Sequence, residues 1–232
     1  MLWMKGWLET RWRFAWMLGF ALVTLLLAVQ GDGTRTIDVE HARILANLQW
    51  NLSILAAIQL AGAGIRTQSP FRAKAGLHGS TQYTLSMPVS RSRLLAVRAL
   101  VGFVETAGIV AFMIVCRWTL FPLIRGNSTP ADLAKFLLAS VTCVLCFYLV
   151  SLTIATVWDE LWQIYGSLIL TGICWLASTH LTVPASANVF RFSTDASPLV
   201  THTLPWPAMV VSLVISAVLF LVAVAVVNSH EY

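Results

Sequence analysis

The chain has 232 residues, of which 58% are hydrophobic and only 11% are charged, and its mean hydropathy is +0.77. Soluble domains carry about 25% charged residues, so this composition excludes a soluble globular domain and predicts an all-α integral membrane protein. In such a protein the net charge of +5 indicates basic cytoplasmic loops rather than nucleic-acid binding.

The N-terminal run "MLWMKGWLETRWRFAWML" combines aromatic and basic residues. Trp3, Trp7 and Phe14 recur near helical spacing, with charged side chains between them. This pattern favours an interfacial helix over residues 1–13, lying in the inner headgroup plane before the first span. A simple positively charged anchor is the alternative.

Six apolar runs are long enough to cross a bilayer as helices, since a span needs about 20 residues. They are continuous, unlike the alternating segments of a membrane β-barrel. We therefore expect a single transmembrane domain over residues 1–232. Its predicted spans cover residues 14–30, 44–64, 95–116, 134–157, 162–179 and 207–227.

Six spans place both termini on the same side of the membrane. Nine of the fifteen Lys and Arg residues lie before span one, between spans two and three, or at the start of span three. Because basic residues concentrate in cytoplasmic loops, both termini are predicted to be cytoplasmic. The loop at 117–135, which also carries basic residues, is the main exception.

Two segments on the predicted outer side carry local signals. Thr129, Pro130 and Asp132 are typical of a helix start, with a capping residue, a proline at the first helical position and an acid in the first turn. Residues 181–207 contain four prolines and several Ser and Thr residues. We interpret them as an external loop, with short helices that dip back into the interface.

Motifs for catalysis are missing from the sequence. There is no G-x-x-x-x-G-K-[ST] phosphate-binding loop and no H-E-x-x-H or G-x-S-x-G motif. Cys143 and Cys146 form a C-x-x-C in the middle of an apolar run, which favours core packing over a metal or redox site. His180 and His202 fall on the predicted outer side and could meet, although solvated loop histidines are the commoner case. We therefore predict no metal site and no enzymatic activity of this chain's own.

The loop between spans two and three contains "QYTLSMPVSRSRLLAVRAL". Ser80 or Thr81 can start a short amphipathic helix, which Pro88 then breaks. Ser90 can cap the next helix. The apolar residues of the short amphipathic helix are Tyr83, Leu85 and Met87. The arginines that hold the loop on the inner side are Arg91, Arg93 and Arg98. An ordinary basic inner loop is the alternative to a docking helix.

This stretch resembles the loop of ABC-2-type transporter permeases, in which a "TLSLPVSR" pattern separates spans two and three. The N-terminal "KGWLETRWRFAWML" is similar to the start of the same family. The resemblance implies a permease subunit in a prokaryotic inner membrane, surrounded by lipid and exporting an amphipathic or lipid-like substrate. Met87 departs from the family's usual leucine, which is a volume-conserving change.

The resemblance also implies partners: a second, identical or different permease subunit, and a separate ATP-binding subunit that holds ATP and Mg²⁺. The coupling helix that would dock this ATPase comprises Ser80, Thr81, Gln82, Tyr83, Thr84, Leu85, Ser86 and Met87.

Polar residues inside the spans are candidates for a translocation pathway. Glu105 is the one acid well inside a span, where a carboxylate usually faces protein or water. It could line the pathway, pair with Arg98 or make a polar contact between helices. In span two the candidates are Asn47, Asn51 and Gln59. A membrane-embedded enzyme and a non-transporting anchor subunit remain the rival functions.

Overall fold

The structure, a computed structural model, describes residues 2–30, 39–61, 90–158, 160–194 and 196–229. Within these ranges the chain is helical and contains no β-strand. The helices are α1 (Leu2–Gln30), α2 (Val39–Ala61), α3 (Arg91–Leu120), α4 (Pro122–Asn127), α5 (Pro130–Val157), α6 (Glu160–His180), α7 (Pro198–Thr201) and α8 (Trp206–Ser229).

Six of these helices are long and apolar enough to cross a membrane, which confirms the predicted number of spans. Each coincides with one predicted span. Their apolar segments are Thr10–Leu27, Ile44–Ala61, Ser92–Leu120, Pro130–Val157, Leu161–His180 and Trp206–Ser229. The third is longer than the predicted 95–116, because helix α3 continues past Cys116 to Leu120.

Helix α1 is one continuous helix of 29 residues. At 1.5 Å per residue it is about 43 Å long, which exceeds the ~30 Å hydrocarbon core. The expected interfacial helix over residues 1–13 is therefore not a separate element, because no break divides it from the span. Met17 and Ala21 of α1 pack in one buried cluster with Ile109 and Met113 of α3.

Helix α5 occupies the centre of the bundle and contacts α2, α3, α6, α7 and α8. Ala139, Val144 and Leu152 are completely buried along its length. Its start matches the sequence prediction: the Thr129 side chain accepts from the backbone nitrogen of Asp132, and the Asp132 carboxylate accepts from the backbone nitrogen of Thr129. This reciprocal capping box satisfies two otherwise orphaned donors.

The six spans divide into inner helices (α2, α3 and α5) and peripheral helices (α1, α6 and α8). About half of each apolar segment of α2, α3 and α5 is buried (56%, 50% and 56%), against 17%, 11% and 22% for α1, α6 and α8. In a membrane the exposed apolar faces of these three peripheral helices fit contact with lipid or with another membrane helix.

The segment between α6 and α8 enters the bundle more deeply than a surface loop. Phe192 is fully buried, with its ring 4.7 Å from that of Trp50 and 6.5 Å from that of Phe136. Phe190 contacts Phe147, with ring centroids 5.2 Å apart. Irregular backbone is tolerated at such depth only where protein surrounds it and its polar groups are satisfied.

Local turns provide hydrogen bonds for the backbone groups of this segment. The backbone nitrogens of Asn188, Phe192 and Thr194 donate to carbonyls three or four residues earlier. The Asn188 side chain accepts from the backbone nitrogen of Phe190 at 2.9 Å. The expected short helices amount to these turns and the four-residue α7.

Candidate functional site at the end of the second span

The last described turn of α2 is a buried polar region that several helices contact. Ile58, Leu60 and Ala61 are at most 3% exposed. Side chains from α1, α5 and α6 donate to the backbone oxygens of this turn, and α3 packs closely against it. In sequence the turn lies before the loop that contains the predicted ATPase-docking residues, Ser80 to Met87.

The backbone oxygen of Ile58 is the centre of a fully buried network. It accepts from Gln163 Nε2 of α6 at 2.9 Å and from Ser151 Oγ of α5 at 3.2 Å. Ser167, one turn beyond Gln163, donates to Ser151 Oγ at 3.0 Å. Gln163, Ser151 and Ser167 are each completely buried, so these bonds form away from water, where polar contacts must be satisfied internally.

One atom of this network lacks a hydrogen-bonding partner among the described residues, namely Gln163 Oε1. An unsatisfied buried carbonyl is costly. Stability alone would therefore favour an apolar side chain of the same size at this position.

Arg13 binds the next carbonyl of the same turn. Its Nη1 donates to the backbone oxygen of Gln59 at 3.1 Å, which joins α1 to α2. A cation beside the carbonyls that end a helix is also favoured by the helix dipole. The Gln59 side chain, a predicted pathway group, is half-buried.

Gly102 allows α3 to approach this turn closely. A Cβ atom at this position would lie 2.9 Å from the backbone oxygen of Leu60 and 2.6 Å from the hydroxyl of Tyr148. That hydroxyl is held in place because it donates to the backbone oxygen of Ala99 at 2.9 Å. Helices α2, α3 and α5 thus meet at a position where only glycine fits.

Glu105 lies one turn further along α3 and is 6% exposed. One carboxylate oxygen accepts a hydrogen bond from the hydroxyl of Thr10 in α1. The other oxygen has no hydrogen-bonding partner among the described residues. Glu105 was predicted to line the pathway, pair with Arg98 or make a polar contact between helices, and the structure shows the last of these contacts.

Asn47 and Asn51 lie one turn apart on α2, and both are exposed. An exposed carboxamide inside a span is costly against lipid. This face of α2 is therefore suited to water or to another subunit.

The predicted docking residues, Ser80 to Met87, lie outside the described residues. The following helix begins as predicted, because the Ser90 hydroxyl accepts from the backbone nitrogen of Arg93 at 3.4 Å. Arg91 opens α3, Arg93 is exposed and Arg98 is half-buried.

Around the predicted outer histidines, as in the rest of the described chain, no group of three or more metal-ligating side chains occurs. His202 instead binds Asp132, with Nδ1 2.9 Å from Oδ2. Lys135 Nζ bridges the Asp132 carboxylate at 2.9 Å and the backbone oxygen of His202 at 2.8 Å. These contacts fasten the segment before α8 to the start of α5.

Cys143 and Cys146 are free and buried, which agrees with the prediction that they pack in the core. Cys146 Sγ lies 3.1 Å from the backbone oxygen of Cys143.

The sequence analysis missed Gln163, Ser151 and Ser167. A signal was present, since Gln163 and Ser167 are four residues apart and so share one face of an otherwise apolar helix. The backbone oxygen of Ile58, which accepts from both Gln163 and Ser151, leaves no trace in the sequence.

Comparison of the chain with family models, with curated proteins and with solved structures found no match.

Proposed function

We propose that this chain is the membrane subunit of an ABC-2-type ATP-binding cassette transporter. The observation that carries the proposal is the position of the α2 turn described above. Four other helices contact it. The loop that follows it in sequence contains, from Ser80 on, the segment that resembles a coupling helix. A displacement of the docking segment that is passed along the chain to this turn would reach α1, α3, α5 and α6 together.

Energy for transport comes, in this proposal, from a separate subunit that binds ATP and Mg²⁺. Ser80 to Met87 dock that subunit on the cytoplasmic side, with Tyr83, Leu85 and Met87 as the apolar contacts. Arg91, Arg93 and Arg98 keep the docking segment inside, and both termini are cytoplasmic. The chain resides in the inner membrane of a prokaryote.

A second permease subunit, identical or different, completes the pathway. The exposed carboxamides of Asn47 and Asn51 support this part of the proposal, because they need water or protein opposite them inside the membrane. Gln59, further along α2, lies toward the cytoplasmic end of the same path. Glu105 anchors α1 to α3 beside it.

The transported species is an amphipathic or lipid-like compound that moves outward. The peripheral helices support this choice, because apolar walls such as those of α6 and α8 accept acyl chains. The external segment before α8 closes the outer end of the bundle with its aromatic cluster.

The test replaces Tyr83 and Leu85 with Asp in the full complex. Two carboxylates in place of apolar contacts should abolish binding of the ATP-binding subunit and ATP-driven export, while membrane insertion stays unchanged. A matched control changes Leu181 and Val200 to Asp; these side chains are exposed in the predicted external segment 181–207. Export that survives the Tyr83→Asp, Leu85→Asp double substitution would refute the placement of the coupling helix.

A further inference from the structure

Helix α6 has few attachments to the rest of the bundle. It contacts α5 and α2, and only 11% of its apolar segment is buried. Trp158, just before it, packs so tightly on Gly166 that a Cβ there would lie 2.5 Å from the Trp158 ring. Such a peripheral helix follows a moving neighbour only if a specific contact joins the two.

Gln163 supplies a contact of this kind. Its amide nitrogen lies 2.9 Å from the Ile58 oxygen of α2 and 2.5 Å from Ser151 Oγ of α5. It therefore bridges the helix that precedes the docking segment and the central helix of the bundle. Ser167 reinforces the bridge through Ser151.

The same residue is a poor choice for stability alone. Its buried Oε1 has no hydrogen-bonding partner among the described residues. Methionine has similar length and volume and would leave no such atom unsatisfied. The Ile58 oxygen would keep its bond from Ser151. Residues that break a local rule in this way tend to occur where function requires them.

We propose that Gln163 is a positioning residue that ties α6 to the last described turn of α2, so that α6 moves with α2 during the transport cycle. This inference rests on the proposed function, because the force that moves α2 comes from the docked ATPase. Ser151 supports Gln163 by accepting from its amide and by donating to the same carbonyl.

The experiment measures the distance between α2 and α6 by double electron–electron resonance. Cys174 is a native exposed label site on α6, and Leu48→Cys provides one on α2. Cys116→Ser removes the half-buried thiol, while Cys143 and Cys146 are buried and escape labelling. The labelled protein is studied in nanodiscs, alone and in complex with the ATP-binding subunit trapped with Mg-ATP and vanadate.

We expect the wild type to give one narrow distance distribution in every state. Gln163→Met should give a broader distribution for the chain alone and a second, shifted population in the trapped complex. Ser151→Ala should have the same effect to a smaller degree, and Ser151→Thr, which keeps the hydroxyl, should restore the wild-type result. Recovery of the ATP-binding subunit with each variant should stay unchanged, because none of the substitutions lies within the docking segment Ser80 to Met87.

Gln49→Met is the matched control. It removes a side-chain hydrogen bond from Arg117 Nη1 to Gln49 Oε1 at 3.2 Å, nine residues before Ile58 on α2. It should leave the distance between α2 and α6 as in the wild type.

Two negative results are distinguishable. If the wild type brings down no ATP-binding subunit, the proposed function fails and this inference with it. If the subunit binds but Gln163→Met gives the wild-type distribution in both states, the positioning role is refuted and the proposed function stands.

Discussion

The amide nitrogen of Gln163 lies 2.9 Å from the backbone oxygen of Ile58, which joins the fifth membrane helix to the second. Arg13 makes a comparable contact with the neighbouring Gln59 oxygen from the first helix, at 3.1 Å. Because both acceptors are backbone oxygens of α2, Gln163 and Arg13 are bound to the helix itself and not to a flexible side chain. A movement of this turn of α2 would therefore act directly on α6 and α1.

Gly102→Ala tests the close approach of α3 to this turn. The new methyl group would lie 2.9 Å from the Leu60 backbone oxygen, and the nearby Tyr148 hydroxyl is itself held by a hydrogen bond. We expect a loss of about 1–3 kcal/mol in the free energy of unfolding. Thermal unfolding in detergent measures this loss.

Gly108 provides the control on the same helix, since among the described residues a Cβ at that position would meet no atom within 4 Å beyond its own helical turn. Gly108→Ala should raise the unfolding free energy by about 0.5–1 kcal/mol, because alanine favours the helix. Equal effects of the two substitutions would contradict the close packing at Gly102.

Thr10→Val and Glu105→Gln together test the contact between α1 and α3. The Thr10 hydroxyl donates to a carboxylate that is 6% exposed, and a charge-assisted bond of this kind is stronger than a neutral one. A double-mutant cycle on unfolding should give a coupling energy of about 1 kcal/mol. A coupling energy near zero would show that the two groups do not interact in the folded protein.

Phe192→Ala tests the aromatic closure at the predicted outer end. The ring is fully buried against Trp50 and Phe136, so its removal should cost about 3–5 kcal/mol. Residues 181–205 should then become sensitive to protease added outside the cell. Val200→Ala, at a side chain that is 71% exposed, is the control and should leave the segment protected.

Asp132→Asn tests the attachment of the outer segment to α5. The substitution removes the charge that Lys135 and His202 share and weakens the capping box. We expect Tm to fall by several degrees. His202→Ala should cause a smaller fall, because that side chain is 55% exposed. A larger fall in Tm for His202→Ala than for Asp132→Asn would show that Asp132 is not the main attachment of the outer segment to α5.

The predicted topology can be checked with single accessible cysteines in a Cys116→Ser, Cys174→Ser background, in which the remaining Cys143 and Cys146 are buried. Thr203→Cys, at an exposed residue before α8, should react with an impermeant maleimide on intact cells. Ser229→Cys, at the end of α8, should react only after the membrane is opened. The reverse pattern would invert the orientation and place the docking segment outside.

The length of the continuous apolar runs was enough to predict the six spans, since it depends on local composition alone. The capping residues Ser90 and Thr129 were likewise predictable from local chemistry. The buried bridge of Gln163, Ser151 and Ile58 was not, because it joins positions up to 105 residues apart through a backbone atom. The depth reached by Phe192 was missed because four nearby prolines indicated a surface loop.

The most direct test of the proposed function is affinity purification of the tagged chain from its native membrane, followed by mass spectrometry. The proposal predicts an ATP-binding subunit with a G-x-x-x-x-G-K-[ST] motif, recovered in equal molar amount with the wild type and lost with the Tyr83→Asp, Leu85→Asp variant. Recovery of the wild type without any ATP-binding subunit would contradict it.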